Sequence, residues 1–445
     1  MTTLFAGLAW QARQRFGIKA HSLHRDTTSL SVSGEYASKE EGDPVPLAIT
    51  YGYSRDHRQD LKQGMLALAT THDEDVPVFL RPLDGNSSDK VSLSATVKEV
   101  MKQLREELPE GQEQQIAVFD SGGYSETNVK SYNQVNMLWI TRVPETSTAA
   151  KTALEEEYEQ WQPLADGSRD SVGRSMDLSQ GKERWIIVRP HARLHATKEQ
   201  MDKKVKKAQE DWKKRLWHLS NQDFSCQSDV QQAWKQAMKG KPSWLVATFT
   251  YRQEAGYQQR GKPKKDAPPD KSVWHLVPTL SIDQQAVQAQ IKKEACFIMA
   301  TNILDEQQLS HEQVITLYKE QGGVERGFRF LKDPLFLASS VFVKKPERVV
   351  ALSFIMVLCL LVYRLAEYLL RSRLAATEQT VPNQVNKPTK RPTMRWIFQC
   401  FEGIDLLHIR MGCRFQTQIL GLQAFHQQIL RLLGPAYSQF YFFSP

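Results

Sequence analysis

One uninterrupted apolar run constrains the fold of this chain more than any other feature of its sequence. Residues 349–363, VVALSFIMVLCLLVY, carry no charge and are flanked by Arg348 and Arg364. The run falls short of the ~20 apolar residues that a helix needs to cross a bilayer. We therefore expect a helix buried in the core of a soluble protein rather than a membrane span.

The composition is that of a globular, cytoplasmic protein. The 445 residues are 41% hydrophobic, 24% charged and 9% aromatic, which excludes wholesale disorder and fibrous repeats. The five cysteines include no C-x-x-C pair, which argues against a disulfide framework and a paired-cysteine zinc site. The N-terminal 20 residues lack a secretory signal. The net charge of +8 favours a polyanionic partner without establishing one.

The first third of the chain alternates predicted strands with a predicted helix, which indicates an α/β sheet. The helix is expected over 92–108. Strands are expected over 20–35, 46–53, 76–83, 115–120 and 137–144. Polar residues at the carboxyl ends of strands in such a sheet face the ligand crevice, and Asp120 occupies such a position.

The composition and the predicted secondary structure of the sequence change between about 146 and 299. This stretch is lysine-rich and helical over 196–240 and contains most of the tryptophans. Further predicted strands are 244–252, 273–280 and 296–304. Beyond them we expect helices over 311–335 and 348–372, a basic linker over 381–396 and an amphipathic helical tail over 396–434.

Three acidic residues suit a site for hard divalent cations: Asp26, Asp120 and Glu325. Magnesium prefers oxygen ligands, and a few carboxylates suffice when substrate phosphates complete its coordination. Spacing alone does not single out these three residues, because Asp56 and Asp60 are rival candidates for the same site. Surface carboxylates or turn caps therefore remain the alternative on spacing alone.

The predicted helix around Glu325 carries a cluster of polar residues on one face. Tyr318, Gln321, Glu325 and Lys332 have helical spacing, and Arg329 follows Glu325 by one turn. Such a face could hold a metal ion and grip an adjacent phosphate. The alternative is a surface ion pair between Glu325 and Arg329, worth only ~0.3–0.5 kcal/mol.

These residues carry a resemblance to a known family. The chain resembles bacterial insertion-sequence transposases of the DDE type, whose Y-x2-R-x3-E-x6-K motif falls on Tyr318, Gln321, Glu325 and Lys332, with Gln321 in place of the arginine. The first-aspartate motif is similar to DTTS at 26–29, and the second aspartate is Asp120. Long blocks such as YGYSRDHRQDLKQ, WITRVPET and GVERGFRFLKDPLFL also resemble the family, in the same order.

The resemblance implies an α/β fold: a ribonuclease-H-like mixed sheet flanked by helices and interrupted by a large α+β insertion domain. The expected domains follow the chain in order. They are a remnant N-terminal helix (1–19), the first part of the catalytic domain (20–145), the insertion domain (146–299), the second part of the catalytic domain (300–380), and a basic linker with a C-terminal helical region (381–445).

The resemblance also implies an activity, metal-dependent DNA cleavage at transposon ends followed by strand transfer. Asp26, Asp120 and Glu325 would be catalytic and hold two Mg²⁺ or Mn²⁺ ions, while Tyr318, Gln321, Arg329 and Lys332 would contact DNA. The implied partners are double-stranded DNA and a second copy of the chain, in the bacterial cytoplasm at the nucleoid. Only 25 residues precede Asp26, whereas such enzymes usually begin with a helical end-recognition domain, so a truncated copy is expected.

Two alternatives to a transposase are a metal-dependent nuclease without strand transfer and an inactive DNA-binding remnant. Two further features have alternative interpretations of their own. A tryptophan of the insertion could stack on a flipped base, but packing is the favoured role for each. The lysines between 203 and 214 could contact DNA, but a solvated helix face is favoured.

Overall fold

Five strands lie side by side at the centre of this computed structural model, in the order Pro77–Leu83, Lys62–Thr71, Ser22–Val32, Ile116–Phe119 and Leu138–Arg142. The structure describes residues 1–19, 21–36, 47–54, 58–87, 115–256, 271–333, 343, 345–412 and 414–441. The chain divides into two compact units. The first comprises Met1–Arg142, Ser175–Arg184 and Ala300–Pro445, and the second comprises Val143–Arg174 and Trp185–Met299.

The described strands and helices are as follows, in chain order. The strands are β1 (Ser22–Val32), β2 (Lys62–Thr71), β3 (Pro77–Leu83), β4 (Ile116–Phe119), β5 (Leu138–Arg142), β6 (Gln162–Pro163), β7 (Arg169–Leu178), β8 (Gly181–Pro190), β9 (Leu245–Gly256), β10 (Lys271–Ile282), β11 (Phe297–Thr301), β12 (Val381–Pro382), β13 (Pro388–Thr389), β14 (Asp405–Met411) and β15 (Arg414–Leu420). The helices are α1 (Thr2–Phe16), α2 (Glu126–Gln134), α3 (Thr148–Glu155), α4 (His191–Ser220), α5 (Gln227–Ala237), α6 (Gln284–Ala295), α7 (His311–Lys319), α8 (Gly322–Leu331), α9 (Pro346–Ala376), α10 (Met394–Cys400), α11 (Ala424–Leu433) and α12 (Pro435–Tyr441).

The central sheet is mixed. β1 pairs antiparallel with β2 and parallel with β4, β2 pairs antiparallel with β3, and β4 pairs parallel with β5. Helices α8 and α9 pack against this sheet through a core that includes Leu66, Leu68, Val324, Val357 and Leu360. This confirms the expected fold class, a ribonuclease-H-like mixed α/β sheet flanked by helices.

Most of the predicted strands are present, and one is wrong. β1, β3, β4, β5, β9, β10 and β11 match predicted strands. Over the expected strand at 46–53, the described residues 47–53 contain only an isolated bridge from Thr50 to Gln63. The strand in this part of the chain is β2, which is buried on both faces and therefore lacks the alternation that marks a half-exposed strand. The predicted helix at 92–108 lies outside the described residues.

The single helix predicted over 311–335 is two helices, so that prediction is wrong. α7 begins with a capping box between Ser310 and Gln313 and ends at Lys319. α8 begins at Gly322, directly followed by Gly323. Consecutive glycines are poor helix formers, and the chain turns here between the two helices.

The second unit has its own core, formed by α4, α6 and the β9–β10 hairpin around Met201, Trp212, Trp244 and Ile291. The six lysines between Lys203 and Lys214 are exposed on α4. Trp212 and Trp244 are buried, in keeping with the packing role favoured for the tryptophans. The insertion domain expected over 146–299 stays a prediction.

The apolar run lies in α9, as predicted. By length and composition alone α9 could cross a membrane, and no other helix of the described residues could; 39% of its most apolar window is buried in the protein. Val357 and Leu360 are fully buried, whereas Ile355 and Val362 remain more than half exposed, at 54% and 59%. The expected core helix is therefore buried along one side only.

The sequence predicted a helical tail over 396–434, but the C-terminal tail is not helical throughout. α10 and α11 pack together with the end of α9 around Leu370, Ile397 and Ile429. Between them β14 and β15 form an antiparallel hairpin, with Gly412 in the turn at a φ of 62°. A left-handed backbone at this position ends the strand and suits glycine.

Candidate active site

Asp26 lies in the middle of β1, on the sheet face that α8 covers. Its cross-strand partner on β2 is Leu68. A Cβ built on Gly327 of α8 would lie 3.3 Å from Leu68 Cδ2. Directly paired residues project from the same face of a sheet, so Asp26 projects toward α8 as well. The Thr27 N–H donates to Asp26 Oδ1 over 2.7 Å.

Asp120 directly follows β4, beside Asp26. The last pair between the parallel strands is Arg25 with Phe119, and one further step of the same register sets Asp26 against Asp120. Gly122 leaves room for the second carboxylate, since a Cβ there would lie 3.2 Å from Asp120 Oδ1. The register of two parallel strands thus brings together two carboxylates that are distant in sequence.

The turn after Asp120 is held by buried hydrogen bonds. The Asp120 carbonyl accepts from Thr141 Oγ1 over 2.8 Å and from the Gly123 N–H over 3.0 Å. The Tyr124 hydroxyl donates to Glu183 Oε2 over 2.8 Å, and Glu183 is fully buried. These contacts fix the backbone that presents the second aspartate.

Glu325 lies on the exposed side of α8, next to the buried Val324. The charges of both Glu325 and Asp120 act on the hydroxyl of Tyr318 in α7. Burial is the main cause that raises the pKa of Tyr318, and the negative charges of Asp120 and Glu325 raise it further, while Arg142 lowers it. Coulomb interactions weaken with distance, so the phenol lies near both carboxylates.

The three carboxylates are chemically suited to a divalent metal ion. In the structure they do not form a closed ligand shell. Asp26, Asp120 and Glu325 offer the carboxylate oxygens that Mg²⁺ and Mn²⁺ prefer. Across the described ranges, however, no three His, Cys, Asp or Glu side chains are grouped so that they could hold a metal ion. The backbone sets the two aspartates side by side, and the glutamate comes from a separate helix.

Two further residues predicted to contact DNA, Gln321 and Lys332, lie at the two ends of α8. Gln321 is its N-cap residue, and its Nε2 atom is buried without a hydrogen-bond partner. Lys332 is the half-buried C-cap residue. Tyr318 and Glu325 belong to two consecutive helices, α7 and α8, rather than to the single helix predicted for them.

Arg329 lines a cleft of about 690 Å³ that is rich in ion pairs. Arg326 and Arg364 face Asp75, Arg371 bridges Glu74 and Glu367, and Arg395 pairs with Asp333. Most of the positive charge in the cleft is thus neutralised within the protein. These pairs join α8 and α9 to the turn between β2 and β3, and they join the basic linker to Asp333 just after α8.

Of the two acidic rivals of the three carboxylates, Asp60 lies among the described residues. Asp60 forms a two-bond ion pair with Arg58, and both side chains are exposed. Asp56 and His57 fall outside the part of the chain that the structure describes. The Arg58–Asp60 pair is a solvated surface contact.

Sequence reasoning missed Arg142 and Glu183. Arg142 is the last residue of β5, the strand beside β4, and its charge acts on Tyr318. Arg142 could have been recognised from the sequence, because it is an arginine that ends an apolar strand within WITRVPET. Glu183 could not, because its partner Tyr124 is distant in sequence.

The family described as "Transposase DDE domain" matches residues 25–362, which is most of the chain. No curated protein matches.

Two solved structures are similar in part. The Mos1 mariner paired end complex with Mn is 12% identical, with a TM-score of 0.19, and the match covers 31% of this chain and 40% of that one. The piggyBac transposase synaptic complex with hairpin DNA is 8% identical, with a TM-score of 0.37, and the match covers 94% of this chain and 58% of that one. The chain thus spans less than two thirds of either.

Proposed function

The chain belongs to the transposase DDE domain family, and from that premise we propose that it cleaves DNA at transposon ends and transfers the cut strand into target DNA. The observation that carries the proposal is the register of β1 and β4, which sets Asp26 beside Asp120 on the face that α8 covers. Glu325 on α8 is the third carboxylate of the set.

Asp26, Asp120 and Glu325 would hold divalent metal, Mg²⁺ or Mn²⁺ and two ions in number. Bound metal would lower the pKa of water, so that hydroxide becomes available to attack phosphorus. It would also neutralise the negative charge that develops on the leaving oxygen. The register of β1 and β4 supports Asp26 and Asp120 as ligands. Glu325, exposed at the surface of α8, supplies a side chain free to turn toward them.

Tyr318, Gln321, Arg329 and Lys332 are the residues proposed to position DNA phosphates. The phenol hydroxyl of Tyr318 can donate to a phosphate oxygen, and burial raises its pKa and so favours this protonated form. The unpartnered Nε2 of Gln321 is a second donor. Arg142 adds positive charge near Tyr318.

The proposed partners are double-stranded DNA, comprising element ends and target, and a second copy of the chain in a synaptic complex. The net charge of +8 suits a polyanion. We place the protein in the bacterial cytoplasm, at the nucleoid. Residues 146–299 would form an insertion domain within the catalytic domain.

Isosteric neutralisation of each carboxylate tests the proposal. Asp26→Asn, Asp120→Asn and Glu325→Gln should each abolish Mg²⁺-dependent cleavage of a plasmid that carries the element's flanking DNA, while DNA binding is largely retained. Asp60→Asn removes a carboxylate from the exposed Arg58 pair and serves as the matched control, with cleavage unchanged.

The products distinguish the candidate activities. Joined DNA molecules support a transposase, and nicks without joining support the nuclease alternative. Binding without any metal-dependent cleavage supports the inactive remnant. Full cleavage by any of the three variants would remove that residue from the active site.

A further inference from the structure

The β7–β8 hairpin has its tip in the first compact unit, although most of its length belongs to the second. Residues Ser175–Arg184 belong to the first unit, whereas the remainder of both strands belongs to the second. The tip therefore lies within the stretch expected to form the insertion domain, yet it folds together with the unit that contains Asp26, Asp120 and Glu325.

The tip contacts the residues that directly follow Asp120. Gln180 donates from Nε2 to the Tyr124 hydroxyl over 3.2 Å and to Glu183 Oε1 over 2.9 Å. The Tyr124 hydroxyl in turn donates to Glu183 Oε2 over 2.8 Å. Three side chains thus close a ring of hydrogen bonds, and one of them belongs to a residue four positions after Asp120.

The tip is also fastened to α2, the helix that follows this turn. Asn133 donates from Nδ2 to the Gln180 carbonyl over 3.0 Å, and Ser179 Oγ donates to Glu126 Oε1 over 2.9 Å. A Cβ on Gly181 would lie 3.0 Å from Asn133 Nδ2, so the tip lies close against the helix. The hairpin therefore contacts α2 near both of its ends.

The fully buried Glu183 makes the ring resistant to opening. A buried carboxyl group is costly unless hydrogen-bond donors surround it. Tyr124 and Gln180 supply a donor to each of its two oxygens. Movement of Tyr124 away from the tip would leave Oε2 with one donor fewer, so the buried group opposes displacement of the turn.

Helix α2 holds the same turn from within the core. The Gly123 carbonyl accepts from the Tyr132 hydroxyl over 3.0 Å and from Asn128 Nδ2 over 3.3 Å, and both donor residues are fully buried. Asp120 itself is exposed. The direction of its side chain therefore depends on how firmly the turn behind it is held.

We propose that Gln180 and Glu183 are positioning residues, which hold the turn after β4 so that Asp120 can act as a metal ligand. This role rests on the proposed function of Asp120, and it assigns the hairpin tip to the active site rather than to DNA contact. Groups that orient a metal ligand from outside the coordination shell typically change metal affinity by about 10- to 100-fold when they are removed.

Variants that break the ring test the proposal with readouts that need no DNA. Gln180→Ala and Glu183→Gln should each raise the hydrogen-exchange rates of the Gly123 and Tyr124 amides at least about 10-fold, because local opening of the turn becomes easier. Both amides donate within this turn, to the carbonyls of Asp120 and Ser121. The same variants should weaken Mn²⁺ binding, measured by isothermal titration calorimetry, by about 10-fold or more. Gln180 is only half-buried, so its variant keeps the test decisive if Glu183→Gln fails to fold.

Two controls separate positioning from a general loss of stability. Glu367→Gln alters another buried carboxylate, on α9, and should lower stability without changing exchange at Gly123 and Tyr124. Gln231→Ala breaks another hydrogen bond between a glutamine and a tyrosine, that with Tyr251 in the second unit. This second control should change neither the exchange rates nor the Mn²⁺ affinity.

Three outcomes would overturn the positioning role. These are unchanged exchange at the turn in both variants, faster exchange that Glu367→Gln reproduces, and faster exchange with unchanged Mn²⁺ affinity. The proposed function fails separately: a wild-type chain that protects the turn and binds Mn²⁺ as expected, but never cleaves DNA, would keep the positioning role and reject the transposase.

Discussion

The carboxylate of Asp75 occupies the space where a side chain at position 323 would lie. A Cβ on Gly323 would be 1.9 Å from Asp75 Oδ1. Asp75 belongs to the turn between β2 and β3, and its Oδ2 accepts from Arg326 Nη2 over 2.7 Å and Nε over 3.1 Å. The first turn of α8 therefore docks directly on that turn, and this contact helps to set the position of Glu325 two residues later.

Gly323→Ala should destabilise the protein by about 1–3 kcal/mol, because Asp75 or the start of α8 must move to admit a methyl group. Gly322→Ala is the matched control. Its Cβ would meet nothing closer than Arg326 Nη1 at 3.4 Å, and alanine is a better helix former than glycine. Urea unfolding measures both free energies. Equal effects of the two substitutions would contradict the docking contact.

Tyr124→Phe should weaken both stability and cleavage. It removes the hydroxyl that donates to the fully buried Glu183 carboxylate, at an expected cost of about 1–3 kcal/mol. Because the same turn presents Asp120, DNA cleavage should fall by more than DNA binding. The exposed Tyr437 offers a control substitution, Tyr437→Phe, which should alter neither. A loss of stability with unchanged cleavage would separate Tyr124 from the site.

His24 should make the fold less stable in mild acid. Burial, followed by the charge of His72, lowers the pKa of His24 to about 4. Between the unfolded-state pKa near 6.5 and a pH of about 4, the unfolded chain binds a proton that the folded chain does not. Stability therefore falls as the pH falls through this window, by up to about 3 kcal/mol from this group.

Urea unfolding at about pH 7 and about pH 4.5 measures this loss. The His24→Gln variant should show a smaller loss between the two pH values than the wild type. His218 is exposed, so the His218→Gln variant should keep the wild-type pH dependence. A pH dependence that is identical in His24→Gln and wild type would assign the acid sensitivity to other groups.

Divalent metal should raise the thermal unfolding midpoint of the wild-type chain. An ion that binds only the folded state stabilises it in proportion to the logarithm of its concentration. Asp26→Asn and Asp120→Asn should abolish the increase, whereas Glu325→Gln should reduce it less, since its carboxylate belongs to a separate, exposed position. Asp60→Asn should respond as the wild type does. An equal increase in every variant would place the ion elsewhere.

The sequence predicted best where local pattern decides the structure. A short apolar run that ends in Asp120 identified both the strand and the position of its aspartate. β2 was missed because a strand buried on both faces shows no alternation. The break before Gly322 was missed although Gly322 and Gly323, both poor helix formers, stand in the sequence there. The β14–β15 hairpin was missed because its apolar residues also suited an amphipathic helix.

The choice of Asp26, Asp120 and Glu325 could not be obtained from spacing. The family motif selected Asp26, Asp120 and Glu325 from among many acidic residues. Their placement depends on the β1–β4 register, on the packing of α8 over Leu68 and on the docking of Gly323 against Asp75. Each of these is a contact between residues far apart along the chain, and local sequence preferences do not predict such contacts.

The pairing of β1 with β4 also bears on how such chains can vary in length during evolution. Four residue pairs, from Ser22 with Ile116 to Arg25 with Phe119, decide where Asp120 sits. Relatives could therefore gain or lose residues between the two strands and keep their chemistry, provided that these pairs survive. A slip of a single residue in the pairing would instead turn one aspartate to the opposite face of the sheet.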